Sequence, residues 1–218
     1  MTMKIIVYVE GPSDKLAMEK LLDSLIQRLN EKGIYLCFIP LEGKKNLINK
    51  TPAKALNIIR NDPYAIVIAY PDLYPPNEVL PHITFDDLET GLKDKFINLM
   101  NEKNIKDNRL LDRFKINCFK YDLEVLLLAS KKELESRLGV NNIKTTWKIP
   151  EEDQNHKIPP KRIIEKLFND YGKKYKDTID APQILQNANY KELAVKCPQR
   201  FGKFIDFLES RLKHDNSN

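Results

Sequence analysis

Cysteine is scarce in this chain: Cys37, Cys118 and Cys197 are the whole complement, odd in number and far apart. None are spaced as a CxxC pair, so a disulfide framework is excluded and three reduced thiols are expected, with Cys37 and Cys118 in apolar runs that suit a core. Histidine is as rare. His82, His156 and His214 show no ligand spacing, which argues against a zinc site. No run approaches the ~18 apolar residues needed to cross a bilayer. The opening Met-Thr-Met-Lys leads at once into an apolar strand pattern, unlike a secretory leader, and a cytoplasmic protein is expected. A glycine-rich phosphate loop is missing too. Glu10-Gly11-Pro12-Ser13 has one glycine and a proline that removes an amide donor, which weighs against a flavodoxin-type nucleotide module.

What is present is enough for a core. Of 218 residues, 42% are hydrophobic and 31% charged, the balance of one folded domain, with or without a modest extension, rather than of a disordered chain. The net charge of +5 is unevenly placed. Residues 1–110 hold 15 basic and 15 acidic side chains, and residues 111–218 hold 21 and 16. The whole excess lies in the second half, which permits an anionic partner such as nucleic acid.

The periodicity alternates strand and helix. Ile5 to Val9 is a β-branched run with the length of a buried strand. It stops at Glu10-Gly11-Pro12, after which Ser13 or Asp14 caps a helix carrying Leu16, Met18, Leu21, Leu22 and Leu25. A second strand spans Tyr35 to Pro40, followed by a polar loop from Glu42 to Lys50. Thr51-Pro52 reads as N-cap and first position of a helix running to Arg60. Tyr64 to Tyr70 is an uninterrupted apolar strand that ends at Pro71-Asp72. Residues 82–104 read as a helix, with Asp86 and Asp87 as helix-start acids. A strand follows within 114–119, then an apolar helix headed by Glu124, which Asp122 is placed to cap. The expected class is α/β: a mostly parallel central sheet with helices on both faces and a helical C-terminal extension, divided as a core over 1–138 and an irregular loop with C-terminal helices over 139–218.

Charge at the strand ends carries the chemistry. Ligands of open α/β sheets bind outside the carboxyl ends of the strands. Glu10 and Asp72 both end strands at that edge, where two carboxylates approach to about 4–6 Å and repel unless a divalent ion or a shared proton intervenes. Mg²⁺ suits one or two carboxylates completed by water and substrate phosphate. Taken singly, Glu10 also reads as a helix-dipole partner and Asp72 as a turn residue. Glu124, at the head of an apolar helix, needs a partner. Lys161 and Arg162 open another helix against its dipole, where they could hold a phosphate or lie as surface cations. Lys173, Lys174 and Lys176, interleaved with Tyr171 and Tyr175, have the mix used for backbone contact and base stacking, or form a solvated lysine loop.

Val9-Glu10-Gly11-x-x-Asp14 after a hydrophobic strand resembles the first motif of the Toprim domain of topoisomerases, bacterial primases and overcoming-lysogenization-defect nucleases. Further blocks resemble one Toprim-like family, a domain-of-unknown-function type often encoded beside ATPases of the AAA or ABC type in phage-defence loci. They are Asp72-Leu73-Tyr74, Tyr121-Asp122-Leu123-Glu124-Val125-Leu126-Leu127-Leu128, Pro159-Pro160-Lys161-Arg162-Ile163, and Cys197-Pro198 ahead of Phe201, Phe204 and Leu208. The resemblance implies a Toprim-like (Rossmann-like) fold and a Mg²⁺- or Mn²⁺-dependent nuclease acting on DNA or RNA. Glu10, Asp72 and Glu124 would hold the ion, Asp14 and Asp122 would be neighbouring or alternate ligands, and Lys161 with Arg162 would neutralise the phosphate. It also implies an AAA/ABC-type ATPase partner and a place in anti-phage defence; the lack of a spanning run leads to the expectation of no membrane, and the sequence leaves an oligomer open. The chain departs from that family where Tyr121 replaces a histidine and Asp122 a glutamate, and Asp72-Leu73-Tyr74 has one acid where larger Toprim enzymes have a tandem Asp-x-Asp. These departures make a catalytically inactive docking or regulatory subunit the alternative.

Overall fold

The structure, a computed structural model, describes residues 2–154 and 157–213. The apolar runs become the strands of one four-stranded sheet: β1 (Met3–Val9), β2 (Ile34–Pro40), β3 (Ile66–Tyr70) and β4 (Phe114–Ile116). Their order is β2-β1-β3-β4 and every pairing is parallel. The helices are α1 (Pro12–Leu21), α2 (Asp23–Glu31), α3 (Lys44–Asn61), α4 (Phe85–Glu102), α5 (Glu124–Ala129), α6 (Lys131–Leu138), α7 (Pro160–Asp170), α8 (Asp177–Leu185), α9 (Tyr190–Lys196) and α10 (Phe201–Lys213). Parallel strands joined through helices are the α/β class read from the sequence.

The chain forms two compact units. The first is Met1–Gly11 with Ile26–Cys118, and the second is Pro12–Leu25 with Phe119–Asn218. The division at 138/139 read from the sequence leaves α5 and α6 with the sheet. The compact units group them with the later helices instead, along with α1, which packs on α8.

In the first unit the sheet is buried on both faces. Ile6, Tyr8, Val67, Ala69, Phe114 and Ile116 meet Leu47, Ala55, Leu56 and Ile59 of α3 and Leu88, Leu92, Phe96 and Met100 of α4. The rings of Phe96 and Phe114 stack at 4.8 Å. On the opposite face Ile5, Val7, Ile66, Ile68 and Tyr70 are buried as well. Continuous burial explains the unbroken apolar runs of β1 and β3. The edge strand β2 alternates buried and exposed residues, so Cys37, expected in the core, is exposed; Cys118 and Cys197 are buried, and all three lie outside any disulfide.

Two sequence readings change here. The segment 42–50 is not a loop: α3 begins at Lys44 and carries Pro52 in its interior. Leu47, Ile48, Thr51, Ala55, Leu56 and Ile59 are one buried helical stripe, and burying it outweighs the amide that proline removes from the ladder. Gly43, at φ 100°, supplies the entry to that helix. The β4 region shortens to three residues, although the Asn117 amide still donates to the Ala69 carbonyl at 2.9 Å. The helix start at 84–87 is as expected: Thr84 and Asp87 form a capping box on α4.

In the second unit, α5 packs on α7 and α9 on α10. The apolar faces read from the sequence are buried: Ile163, Ile164, Leu167 and Phe168 on α7, and Phe201, Phe204, Ile205 and Leu208 on α10. Among the described residues, 139–154 and 157–159 are irregular apart from a 3₁₀ turn, Glu151–Asp153, and that turn is anchored. Glu152, 1% exposed, accepts from the backbone amides of Gln199, Arg200 (2.8 Å) and Phe201 (3.2 Å) at the head of α10.

Candidate active site

The carboxyl rim of the first unit is set by strand order. From β1 the chain passes to β2 on one side, returns across to β3, and continues to β4. The order reverses between β1 and β3, and the crevice at such a switch point is where open parallel sheets bind ligands. Val9 pairs with Tyr70, so Glu10 and Asp72 leave neighbouring strands at this crevice. The Asp72 amide donates to Glu10 Oε1 at 3.0 Å. The Glu10 carboxylate therefore meets the main chain of Asp72 at the neighbouring strand tip. Burial raises the Glu10 pKa, against the lowering effects of that amide and of Lys44.

Lys44 is the residue that sequence reasoning passed over. From the first position of α3 its ammonium donates to the carbonyls of Leu73 (3.0 Å) and Pro75 (2.6 Å). Burial lowers its pKa, while Glu10 and Asp72 oppose that shift. The Leu73 carbonyl also lies 2.7 Å from His82 Nε2, and His82 Nδ1 lies 2.7 Å from the Leu80 carbonyl. His82, 3% exposed, thus ties the loop after β3 from its far end. His156 and His214 lie outside the described residues.

The second unit gathers the other acids. Glu124, 3% exposed at the head of α5, accepts from the Tyr175 hydroxyl at 3.1 Å and lies 3.8 Å from Lys161 Nζ. Asp122 does not cap α5. Its Oδ2 accepts instead from the Lys161 amide at 3.2 Å, satisfying a donor in the first turn of α7. Its Oδ1 is buried with no hydrogen-bond partner. Burial, and then the neighbouring charge of Glu124, push Asp122 up to about 8. Burial likewise raises Glu124. Burial opposes the charge on Lys161, but Glu124 and Asp177, the latter 3.1 Å away, outweigh it and its pKa is raised.

A pH dependence follows from Asp122. Between about pH 4 and about pH 8 the folded carboxyl keeps a proton that the unfolded chain has released. Its contribution to stability is therefore full at low pH and is lost as pH rises through the folded value. Asp122→Asn is expected to stabilise the metal-free protein by ~1–3 kcal/mol at pH 8 and by little at pH 4. Urea melts in chelator at the two pH values check this, and an equal effect at both would contradict it.

The remaining expected residues divide by environment. Asp14 is buried in the first turn of α1. Arg162 is exposed and pairs with Glu165 at 3.2 Å. Lys173 Nζ caps α6, donating to the carbonyls of Arg137 (2.9 Å) and Leu138 (2.8 Å). Lys174 and Lys176 are exposed, and the Lys176 amide donates to Asp180. Tyr175, grouped with the lysines as a stacking residue, packs edge-on against Phe168 at 5.1 Å and gives its hydroxyl to Glu124.

The donor set fits a hard divalent cation. Asp122, with an orphaned buried oxygen and Glu124 acting on it, and the Glu10 carboxylate at the strand tip supply the hard oxygens that Mg²⁺ and Mn²⁺ take. Among the described residues no group of three or more His, Cys, Asp or Glu is placed to hold a metal ion. An ion at either pair would rely on two protein carboxylates, with water and substrate oxygens filling its shell. Among the described residues, no helix is long and apolar enough to cross a membrane.

The family model described as Domain of unknown function (DUF4276) matches residues 9–209. No curated protein matches the chain. Among solved structures, the C-terminal region of the Burkholderia pseudomallei OLD protein is similar at 14% identity, with a TM-score of 0.49 and coverage of 97% of this chain and 100% of that one. The C-terminal region of the Xanthomonas campestris pv. campestris OLD protein is similar at 15% identity, with a TM-score of 0.44 and coverage of 96% and 98%.

Proposed function

We propose that this chain, which belongs to the DUF4276 family, is a Toprim-type nuclease that hydrolyses phosphodiester bonds of DNA or RNA with Mg²⁺ or Mn²⁺. The observation that carries the reading is the direct bond between Glu10 and the Asp72 amide at the switch point of a parallel sheet. Glu10 and Asp72 would hold a divalent ion, and so would Asp122 with Glu124; when bound, the metal polarises the phosphate and acidifies its water. The protein's own groups do the rest. The amide of Asp72 fixes the rotamer of Glu10. Lys161, kept cationic by Glu124 and Asp177, neutralises phosphate charge, with Arg162, Lys174 and Lys176 exposed for backbone contact. An AAA/ABC-type ATPase partner and a role in anti-phage defence belong to this proposal and rest on the motif resemblance.

One observation favours a second reading, a catalytically inactive docking subunit of such an ATPase: each carboxylate pair already meets a lysine, Lys44 in one unit and Lys161 in the other. Incubation with plasmid, linear DNA and tRNA separates the two. The nuclease reading expects cleavage with Mg²⁺ or Mn²⁺ that stops in chelator, alone or with a co-purified ATPase. Absence of cleavage under all these conditions would contradict it and leave the docking subunit.

A further inference from the structure

Lys44 reaches from the start of α3 to the loop after β3. Two backbone carbonyls, Leu73 and Pro75, accept from its ammonium at 3.0 and 2.6 Å. Two carboxylates, Glu10 and Asp72, act on its charge. The anchors lie 29 and 31 residues further along the chain, on the loop that carries Asp72. The ammonium that feels both acids thus also fastens the loop on which the Asp72 amide meets Glu10.

These two roles have opposite consequences for a metal. Fastening the loop pre-organises Asp72 against Glu10 and favours binding. The charge repels a divalent ion at close range and disfavours it. We propose that Lys44 is a positioning residue that also holds down the divalent-ion affinity of the Glu10–Asp72 pair until a substrate phosphate arrives. The inference rests on the reading of that pair as a metal site. A phosphate contributes the anionic charge that offsets the ammonium and the oxygens that complete the metal's shell. Metal and nucleic acid then load together, and metal alone binds weakly. The two ligands are linked, each raising the other's affinity by the same factor.

The test is a calorimetric titration of Mn²⁺ into the full-length protein without nucleic acid, for wild type, Lys44→Met and Lys44→Arg, with a Glu10→Gln control. Lys44→Met is expected to bind Mn²⁺ about tenfold more tightly than wild type, the equivalent of ~1.4 kcal/mol. Lys44→Arg, which keeps the charge, is expected to stay near the weak wild-type value. A residue that only fastens the loop would give the reverse, weaker binding in Lys44→Met. Lys44→Gln, which retains a donor for the Leu73 carbonyl, carries the test if the methionine variant fails to fold. Wild-type binding that is unchanged or weakened on removing the charge overturns the role of Lys44 and leaves the metal site standing. Absence of Glu10-dependent binding in every variant overturns both.

Discussion

Glu10→Gln is expected to lower metal-dependent cleavage by ~10³-fold and to leave the protein folded. Glutamine keeps an oxygen to accept from the Asp72 amide, so the contact between the two strand tips survives. What is lost is the charge. Because burial raises the Glu10 pKa, the folded protein holds that charge at a cost, and removing it does not destabilise the fold at neutral pH. Asp72→Asn is expected to act in the same direction. Cleavage rates measured beside thermal melts separate the two effects: activity should fall while the melting temperature holds or rises. Full activity in Glu10→Gln would remove Glu10 from the chemistry.

Glu152→Ala is expected to have the largest effect on stability, about 3 kcal/mol, or a fall of roughly 6–12 °C in melting temperature. One buried carboxylate satisfies three backbone amides at the head of α10. A helix start leaves such donors unmade, and a negative group there also meets the positive end of the dipole. Alanine orphans all three in a place where Phe201 is already buried. Glu152→Gln should fall between, since it keeps one carbonyl oxygen and turns an N–H₂ group toward an amide. Urea denaturation gives the ordering; an alanine variant as stable as wild type would show that water replaces the carboxylate at no cost.

Legibility in the sequence followed the range of the interactions. The β-branched runs of β1 and β3 and the acids at their ends could be read directly, because strand identity and the position of a strand tip are local properties. Their meeting depended on strand order, and the alternation of strand and helix was enough to suggest it. Pro52 misled because proline rules are local while the stripe it sits in is buried along the whole of α3. Lys44 left no signal, since its partners are backbone carbonyls of the loop after β3. Glu152 sits in a run of acids that reads as solvated, and its partners lie 47 to 49 residues away. Tyr175 and Lys173 have the composition of a nucleic-acid patch, but the structure commits the one to Glu124 and the other to the end of α6. Lys161 stood out in the sequence as a cation opening a helix, but its amide's partner, Asp122, lies 39 positions earlier and could not be read from it.

Anomalous diffraction from crystals grown with Mn²⁺ and a short oligonucleotide tests the metal assignment most directly. The account predicts a peak about 2.0–2.3 Å from carboxylate oxygens of Glu10 and Asp72, of Asp122 and Glu124, or of both pairs, with a phosphate oxygen in the same shell. Ordered carboxylates with no anomalous density at either pair, in a preparation that still cleaves the oligonucleotide, would contradict it.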